Sequence, residues 1–125
     1  MKVNSIVLSI GSNSVDREWQ MKNCIEWLKK ILHKMELSSI YNSKASNGVD
    51  ADYLNAVVKG FCDENYNTIS SMLKQYETVC GRTPSSKSEG VIPLDIDIVI
   101  WDDEIVRARD YAQSYFQKGW SEIKF

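Results

Sequence analysis

Two aspartates separated by one residue, Asp95 and Asp97, lie in the run Pro93-Leu94-Asp95-Ile96-Asp97-Ile98-Val99-Ile100-Trp101. Leu94, Ile96, Ile98 and Ile100 alternate with Asp95, Asp97, Val99 and Trp101, the period-two pattern of a strand buried on one side. Asp is disfavoured in strands, because its carboxylate competes for backbone hydrogen bonds and packs poorly on the pleat. Residues i and i+2 of a strand point the same way, which sets these two carboxylates roughly 6–7 Å apart. Like charges held so close cost free energy unless a cation lies between them. Hard oxygen ligands on a rigid element, with room left for water and phosphate, suit Mg²⁺. A solvated strand face would account for a lone Asp-x-Asp equally well, so the rest of the chain has to decide.

A second informative face lies on the stretch Tyr53–Cys62. Leu54, Ala56, Val58, Gly60 and Cys62 form a small apolar side suited to packing under helices. Tyr53, Asn55, Val57, Lys59 and Phe61 form the other. Tyr53 and Asn55 there offer an aromatic plane and an amide that donates and accepts at once, as the edge of a flat heterocycle requires. A half-buried strand tyrosine beside a satisfied edge amide is the plainer account of the same pair.

The elements that would hold these groups follow from periodicity. Ser5 to Ile10 alternates as a first strand and stops at the turn cluster Gly11-Ser12-Asn13-Ser14. Met21, Cys24, Ile25, Leu28, Ile31, Leu32 and Met35 recur at three and four, predicting a helix from about Val15 to Met35 with Lys22, Lys29, Lys30 and His33 outward. His33, the one histidine, has no partner spacing for a metal or a triad. Leu37 to Tyr41 reads as a second strand, followed by a polar loop. Asn67 is placed to cap a second helix, with Ile69, Met72, Leu73, Tyr76 and Cys80 on its buried stripe, Glu77 off that stripe, and Gly81 as its stop. A polar, turn-rich loop from Arg82 to Gly90 leads into the aspartate strand. After it come a turn at Asp102-Asp103-Glu104 and a partly helical stretch to Phe125.

The order β-α-β-β-α-β predicts an α+β, ferredoxin-like domain: a four-stranded antiparallel sheet with two helices on one face. Its helix-free face would carry Tyr53, Asn55, Asp95 and Asp97, with the loops Ser43–Asp52 and Arg82–Gly90 folding over it.

The chain has 125 residues, 43% of them hydrophobic and 26% charged, enough for one domain with its own core. A net charge of −2 gives no electrostatic footprint for nucleic acid or an anionic membrane. The strand-helix order and the fragment Lys59-Gly60-Phe61 loosely suggest an RNA-binding module, but two carboxylates on an acidic domain's sheet face repel a phosphate backbone. Cys24, Cys62 and Cys80 are odd in number, widely spaced and set in apolar patterns, as buried free thiols of a reducing compartment would be. The start of the chain reads as a short strand rather than a secretory signal, and the expected location is the cytoplasm.

Four separated stretches in matching order and spacing give a resemblance: Ile10-Gly11-Ser12-Asn13, Asp52-Tyr53-Leu54-Asn55-Ala56, Glu77 through Gly81-Arg82, and Leu94-Asp95-Ile96-Asp97-Ile98. Together they cover roughly residues 3–106 and make the chain similar to the 6-hydroxymethyl-7,8-dihydropterin pyrophosphokinases, a folate-pathway family with a ferredoxin-like core. The resemblance implies one such domain over 1–125, with a C-terminal segment from about 107 shorter than usual. It implies transfer of the β,γ-pyrophosphoryl unit of ATP to the hydroxymethyl group of a reduced pterin, with release of AMP. On it, Asp95 and Asp97 hold two Mg²⁺ ions and act with Arg82 as the catalytic set. Pterin contacts fall to Asn13, Ser43, Tyr53, Asn55 and Trp120 (the last from Gly119-Trp120), and ATP contacts to Glu77, Arg82, Ile98 and Arg109. The implied partners are small molecules, without nucleic acid or membrane, for a monomer or weak homo-oligomer.

The chain departs from the family pattern where phosphate-binding groups are usual. Pro84 and Ile92 stand at arginine positions, Glu89 at a tryptophan and Ser114 near a histidine, and Lys44-Ala45-Ser46 replaces a Pro-Pro run. Each lost guanidinium removes a charge-assisted contact of about 1.5–3 kcal/mol. Lys87, Arg107, Arg109 and Lys118 are the candidate substitutes, although Lys lacks the planar fork. The alternative reading is therefore a relative of weak or no activity that keeps the platform to bind a pterin or nucleotide.

Overall fold

A computed structural model of the chain describes residues 3–123. Positions 1, 2, 124 and 125, which include the ends of the expected first and last segments, lie outside the described residues. The elements are β1 (Asn4–Ser12), α1 (Arg17–Ile31), β2 (His33–Leu37), β3 (Tyr41–Ser43), β4 (Tyr53–Cys62), α2 (Tyr66–Val79), α3 (Ser86–Glu89), β5 (Asp95–Trp101), β6 (Glu104–Ile105), α4 (Ala108–Tyr111) and α5 (Ser114–Ile123). The described strands form one antiparallel sheet in the order β2-β4-β1-β5-β6, with β3 also on β4.

The sheet has six strands where four were expected, for two local reasons. The expected strand Leu37–Tyr41 is two strands that meet opposite halves of β4, Leu37 facing Val58 and Tyr41 facing Asn55. They break at Ser38, whose hydroxyl takes the Val57 N–H at 2.8 Å while its own N–H donates to the Val57 carbonyl at 3.0 Å. The sixth strand arises because Asp102 and Asp103 both adopt left-handed φ, 49° and 69°, which fold β5 tightly back into β6.

Helix α1 is shorter than its apolar spacing suggested. Leu32 turns extended (φ −111°, ψ 147°), and His33 and Met35 belong to β2 rather than to the helix. His33 Nε2 lies 3.4 Å from Asp63 Oδ2. Helix α2 is capped by Asn65, which accepts from the Thr68 N–H at 2.8 Å, and Asn67 lies inside the first turn.

The main core lies between the sheet and helices α1 and α2, with Ile6, Leu8, Ile10, Ala56, Val58, Leu94, Ile96 and Ile98 facing Met21, Cys24, Leu28, Ile69 and Leu73. Cys24 and Cys62 are buried free thiols, and Cys80 is half-buried. The opposite face is not helix-free, as the four-stranded picture had it. Helix α5 lies on it, and Phe116 and Ile123 close a second cluster over Val7, Val57, Val99 and Ile100. Gly119 permits this approach: a Cβ there would sit 2.6 Å from Val57 Cγ2 and 2.7 Å from Tyr41 Oη. The Gly119 N–H donates to that Tyr41 oxygen at 3.0 Å, and Tyr41 donates in turn to the Tyr115 carbonyl.

Strand β5 keeps the expected alternation only as far as Ile98. Ile98 faces Leu8 and Ile100 faces Val7, so Val99 is an extra residue. Its carbonyl accepts from Val106 N at 2.9 Å and Arg107 N at 3.4 Å. Beyond this bulge the parity flips: Ile100 joins Val99 in the second cluster and Trp101 returns to the first.

Candidate active site

Register across the central strands builds the site row by row. Tyr41, Asn55, Gly11 and Asp95 lie abreast on β3, β4, β1 and β5, and Val57, Ser9 and Asp97 form the next row. Helix α5 covers the apolar rows beyond and leaves the polar ones open. The result is a cleft of ≈ 410 Å³ lined by Ser9, Gly11, Ser43, Tyr53, Asn55 and Asp95, among others, with Gln113, Ser114 and Tyr115 on its far wall. Its size is that of a small-molecule site.

Each wall group has a local cause. Gly11 keeps the floor flat, since a Cβ there would lie 3.2 Å from Asn55 Oδ1. Asn55 is 5% exposed and donates to Ser43 Oγ at 2.6 Å, which fixes its amide in one orientation. The Tyr53 ring is half-buried against the cleft, and burial, then the Asp95 charge, raise its hydroxyl above the usual range. Asn13 does not line the cleft. It donates to the carbonyls of Gly90 at 2.9 Å and Ala51 at 3.3 Å and accepts from Ile92 N at 2.6 Å, clipping the two flanking loops together. Those loops meet where Gly90, at φ 77°, leaves no room for a side chain against Asp50.

Asp95 and Asp97 share one face of β5, with side-chain exposures of 39% and 14%. They are near enough to hydrogen-bond each other. Burial, then the charge on Asp95, pushes Asp97 up to about 7. On Asp95 burial acts upward but loses to hydrogen bonds from Asp97 and Arg82, so that its carboxyl is held low.

Behind the pair stands Glu77, expected off the buried stripe of α2. It lies on that stripe and is 4% exposed. One of its oxygens accepts from Arg82 Nη1 at 3.3 Å; the other accepts from Lys74 Nζ at 3.1 Å and Ile96 N at 2.7 Å. Arg82 continues to Asp95 Oδ1 at 2.8 Å and Lys74 to Asp97 Oδ1 at 3.4 Å. The same cations take the carbonyls of Leu94 and Ile96, at 3.3 and 3.1 Å. Among the described residues no strand lies on the outer side of this part of β5, since β6 faces only Ile100 and Trp101. A buried carboxylate with two cations thus finishes the sheet edge that carries the aspartates. Burial would lower both cations, but the surrounding carboxylates outweigh it and keep them charged.

A second, narrower cleft of ≈ 50 Å³ opens on the outer side of Asp97, between Tyr66, Ser70 and Lys74 of α2, Ile98 of β5, and Arg107. Arg107 Nη2 lies 3.9 Å from Asp97 Oδ1 while its Nε is tied to Asp110. Asp95 therefore belongs to one cleft, Asp97 to the other, and the pair stands between them.

A model of the 7,8-dihydro-6-hydroxymethylpterin-pyrophosphokinase (HPPK) family matches residues 7–124. The chain belongs to the HPPK family. It is also 30% identical over 106 residues to the 2-amino-4-hydroxy-6-hydroxymethyldihydropteridine pyrophosphokinase of Aquifex aeolicus (strain VF5), an alignment covering 84% of this chain and 66% of that relative. The chain thus spans a little under two thirds of the length of the curated relative it matches.

Among the residues that the HPPK resemblance singled out, the structure gathers Ser43, Tyr53, Asn55 and Asp95 round the first cleft and Asp97 and Ile98 round the second. Glu77 and Arg82 stand just behind. Trp120 lies elsewhere, beside Phe116 in the second cluster with ring centroids 6.1 Å apart. Arg109 is an exposed residue of α4, outside the lining of either cleft. Ile92, at an HPPK arginine position, is 6% exposed and hydrogen-bonded through its backbone to Asn13. Lys74, Gln113 and Tyr115 had no part in the site expected from sequence, and Ser114 figured there only as a departure near a histidine position. Lys74 was legible as the residue three before Glu77, one turn along the same helix face.

Among the described residues no three His, Cys, Asp or Glu side chains cluster as a metal cage. Two carboxylates on one strand face beside an open cleft are still a fitting donor set for Mg²⁺. That ion takes one or two protein carboxylates and completes its octahedron with water and substrate phosphate.

Proposed function

We propose that this chain transfers the β,γ-pyrophosphoryl unit of ATP to 6-hydroxymethyl-7,8-dihydropterin, as the names of its family and of its Aquifex relative suggest. The observation that carries the reading is the position of Asp95 and Asp97 between two clefts, one shaped for a flat heterocycle and one lined by two cations, Lys74 and Arg107. In this reading the pterin lies in the first cleft against the Tyr53 ring. Asn55, oriented by Ser43, reads its edge. The triphosphate enters from the second cleft along Ile98, where Lys74 and Arg107 meet its charge.

Asp95 and Asp97 would hold Mg²⁺, in two ions by resemblance to the family, which when bound neutralises charge spreading over the phosphoryl oxygens. Arg82 holds Asp95 in place, and Glu77 holds Arg82. The hydroxymethyl oxygen bonds to the β-phosphorus as the bond from that phosphorus to the α,β-bridging oxygen breaks, AMP leaves with the bridging oxygen and the hydroxyl proton passes to solvent, a displacement that needs mostly positioning and charge stabilisation. Asn13 acts by fixing both loops, and Trp120 and Arg109 act at a remove from the clefts. Small molecules are the expected partners of a cytoplasmic monomer or weak homo-oligomer. No helix among the described residues is long and apolar enough to cross a membrane.

A chromatographic assay for AMP, with ATP, Mg²⁺ and 6-hydroxymethyl-7,8-dihydropterin, tests the reading. AMP and a pyrophosphorylated pterin formed in equal amounts, only with all three present, are the expected result. Pterin or nucleotide binding without AMP, even at high protein concentration, would favour a ligand-binding relative instead. The buried, non-basic Ile92 is the observation on that side.

A further inference from the structure

Lys74 carries the cation nearest to Asp97, and it is held differently from its counterpart Arg82. Arg82 reaches Asp95 at 2.8 Å with a side chain 27% exposed. Lys74 reaches Asp97 at 3.4 Å with a side chain 53% exposed. Its ammonium donates to Glu77, to the Ile96 carbonyl and to Asp97, while its stem forms part of the wall of the second cleft. If Lys74 lets go, Glu77 still has Arg82 and the Ile96 N–H. A half-exposed lysine pair of this kind is held only weakly, and a flexible four-carbon stem lets the charge move without disturbing the backbone. Arg107 is less free, because its Nε is tied to Asp110.

Resting on the function proposed above, we propose that Lys74 is a displaceable counter-ion. It occupies Asp97 Oδ1 while no divalent cation is there. Once a cation takes that oxygen, the ammonium turns into the second cleft and binds a phosphate oxygen of the nucleotide. One side chain then does two jobs: it keeps the aspartate pair compact before ligands arrive, and it supplies phosphate charge at the second cleft, which Pro84, Glu89 and Ile92 cannot. Lys74 is a positioning residue for the metal and a ligand for the nucleotide.

The two jobs predict shifts of opposite sign in one variant, which a merely structural lysine would not produce. Lys74→Gln removes the competitor at Asp97, so Mn²⁺ alone, titrated calorimetrically, should bind about fivefold more tightly, the yield of one weak ion pair. The same variant should bind Mg²⁺ with the α,β-methylene analogue of ATP about tenfold more weakly, through loss of one charge-assisted contact. Lys74→Arg keeps the charge and should hold the analogue to within about threefold of the parent.

Parallel shifts for the two ligands, or unchanged Mn²⁺ affinity in the glutamine variant, would overturn the proposal while leaving the function intact. A parent protein that binds neither Mn²⁺ nor the analogue would overturn the function itself, and this inference with it. Should Lys74→Gln fail to fold, Lys74→Arg decides alone: analogue binding weakened tenfold or more overturns the proposal, and retained binding supports it.

Discussion

Glu77→Gln separates two roles for one carboxylate. If Glu77 were a nucleotide contact, as the family resemblance implies, the substitution would weaken ATP binding and spare the fold. The structure puts it 4% exposed beneath the aspartate strand, accepting from Ile96 N, Lys74 and Arg82. A glutamine of the same shape can keep the Ile96 bond through its one oxygen. That oxygen also faces Lys74, so the NH₂ group must face Arg82, donor against donor. Loss of the charge-assisted Arg82 contact costs about 1.5–2 kcal/mol, and the misdirected buried amide adds about 1 kcal/mol. The exposed Lys74 contact adds little.

The expected sum is about 3 kcal/mol, which lowers the Tm of a domain this size by about 10 °C. Thermal unfolding followed by circular dichroism, without ligands, measures it directly. Glu77→Ala should be worse still, since it adds a cavity to two cations without a buried partner. A Glu77→Gln protein melting within 2 °C of the parent would refute the hub assignment, and nucleotide binding lost at unchanged Tm would restore the contact role.

With its carboxyl pushed up to about 7 from 3.8, Asp97 contributes stability to the metal-free protein below about pH 4 and loses it as pH rises through 7. Asp95 works in the opposite sense. Protons therefore compete with metal at Asp97: Mn²⁺ affinity should fall up to about tenfold per pH unit below 7, and Asp97→Asn should abolish both the binding and its pH dependence. Tyr53→Ala should weaken pterin binding about 10- to 30-fold through lost stacking and leave nucleotide affinity within about twofold, as fluorescence titration would show. Gly119→Ala drives a methyl to 2.6 Å from Val57 Cγ2 and 2.7 Å from Tyr41 Oη, so chemical denaturation should report a loss of about 2–3 kcal/mol.

The strands that carry the site were legible because parity on a strand leaves no freedom. Once Leu54, Ala56 and Val58 are known to face helices, Tyr53 and Asn55 must face the other way, and the same holds for Asp95 and Asp97. Loop and helix contributions were less legible. Glu77 follows Leu73 by four residues and Ile69 by eight, squarely on the buried stripe, but counting only apolar residues passes over a charge that burial and two cations accommodate. Nothing in Ile98-Val99-Ile100 signals a bulge, since any of the three fits either face and no Gly or Pro marks the extra residue. The break at Ser38 depends on one hydroxyl finding Val57 N, a tertiary event with no local signature. Asn13 belonged to a turn by composition; that it clips two loops from distant parts of the chain depends on where those loops end up.

Helix α5 explains why the cleft lies where it does. Phe116, Trp120 and Ile123 are spaced four and three apart, a stripe that needs an apolar surface. The sheet offers one only over Val7, Val57, Val99 and Ile100. A row further, Asn55, Gly11 and Asp95 would leave an apolar helix facing an amide, a bare backbone and a carboxylate, and burying that carboxylate without a counter-charge would cost several kcal/mol. The helix therefore ends where the rows turn polar, and its first turn, with Gln113 before it, becomes the cleft wall. The aspartate pair is kept open by the same polarity that suits it to a cation. The free edge of β5 beside it is satisfied by Glu77, Lys74 and Arg82 instead of by another strand, and the second cleft opens on that side.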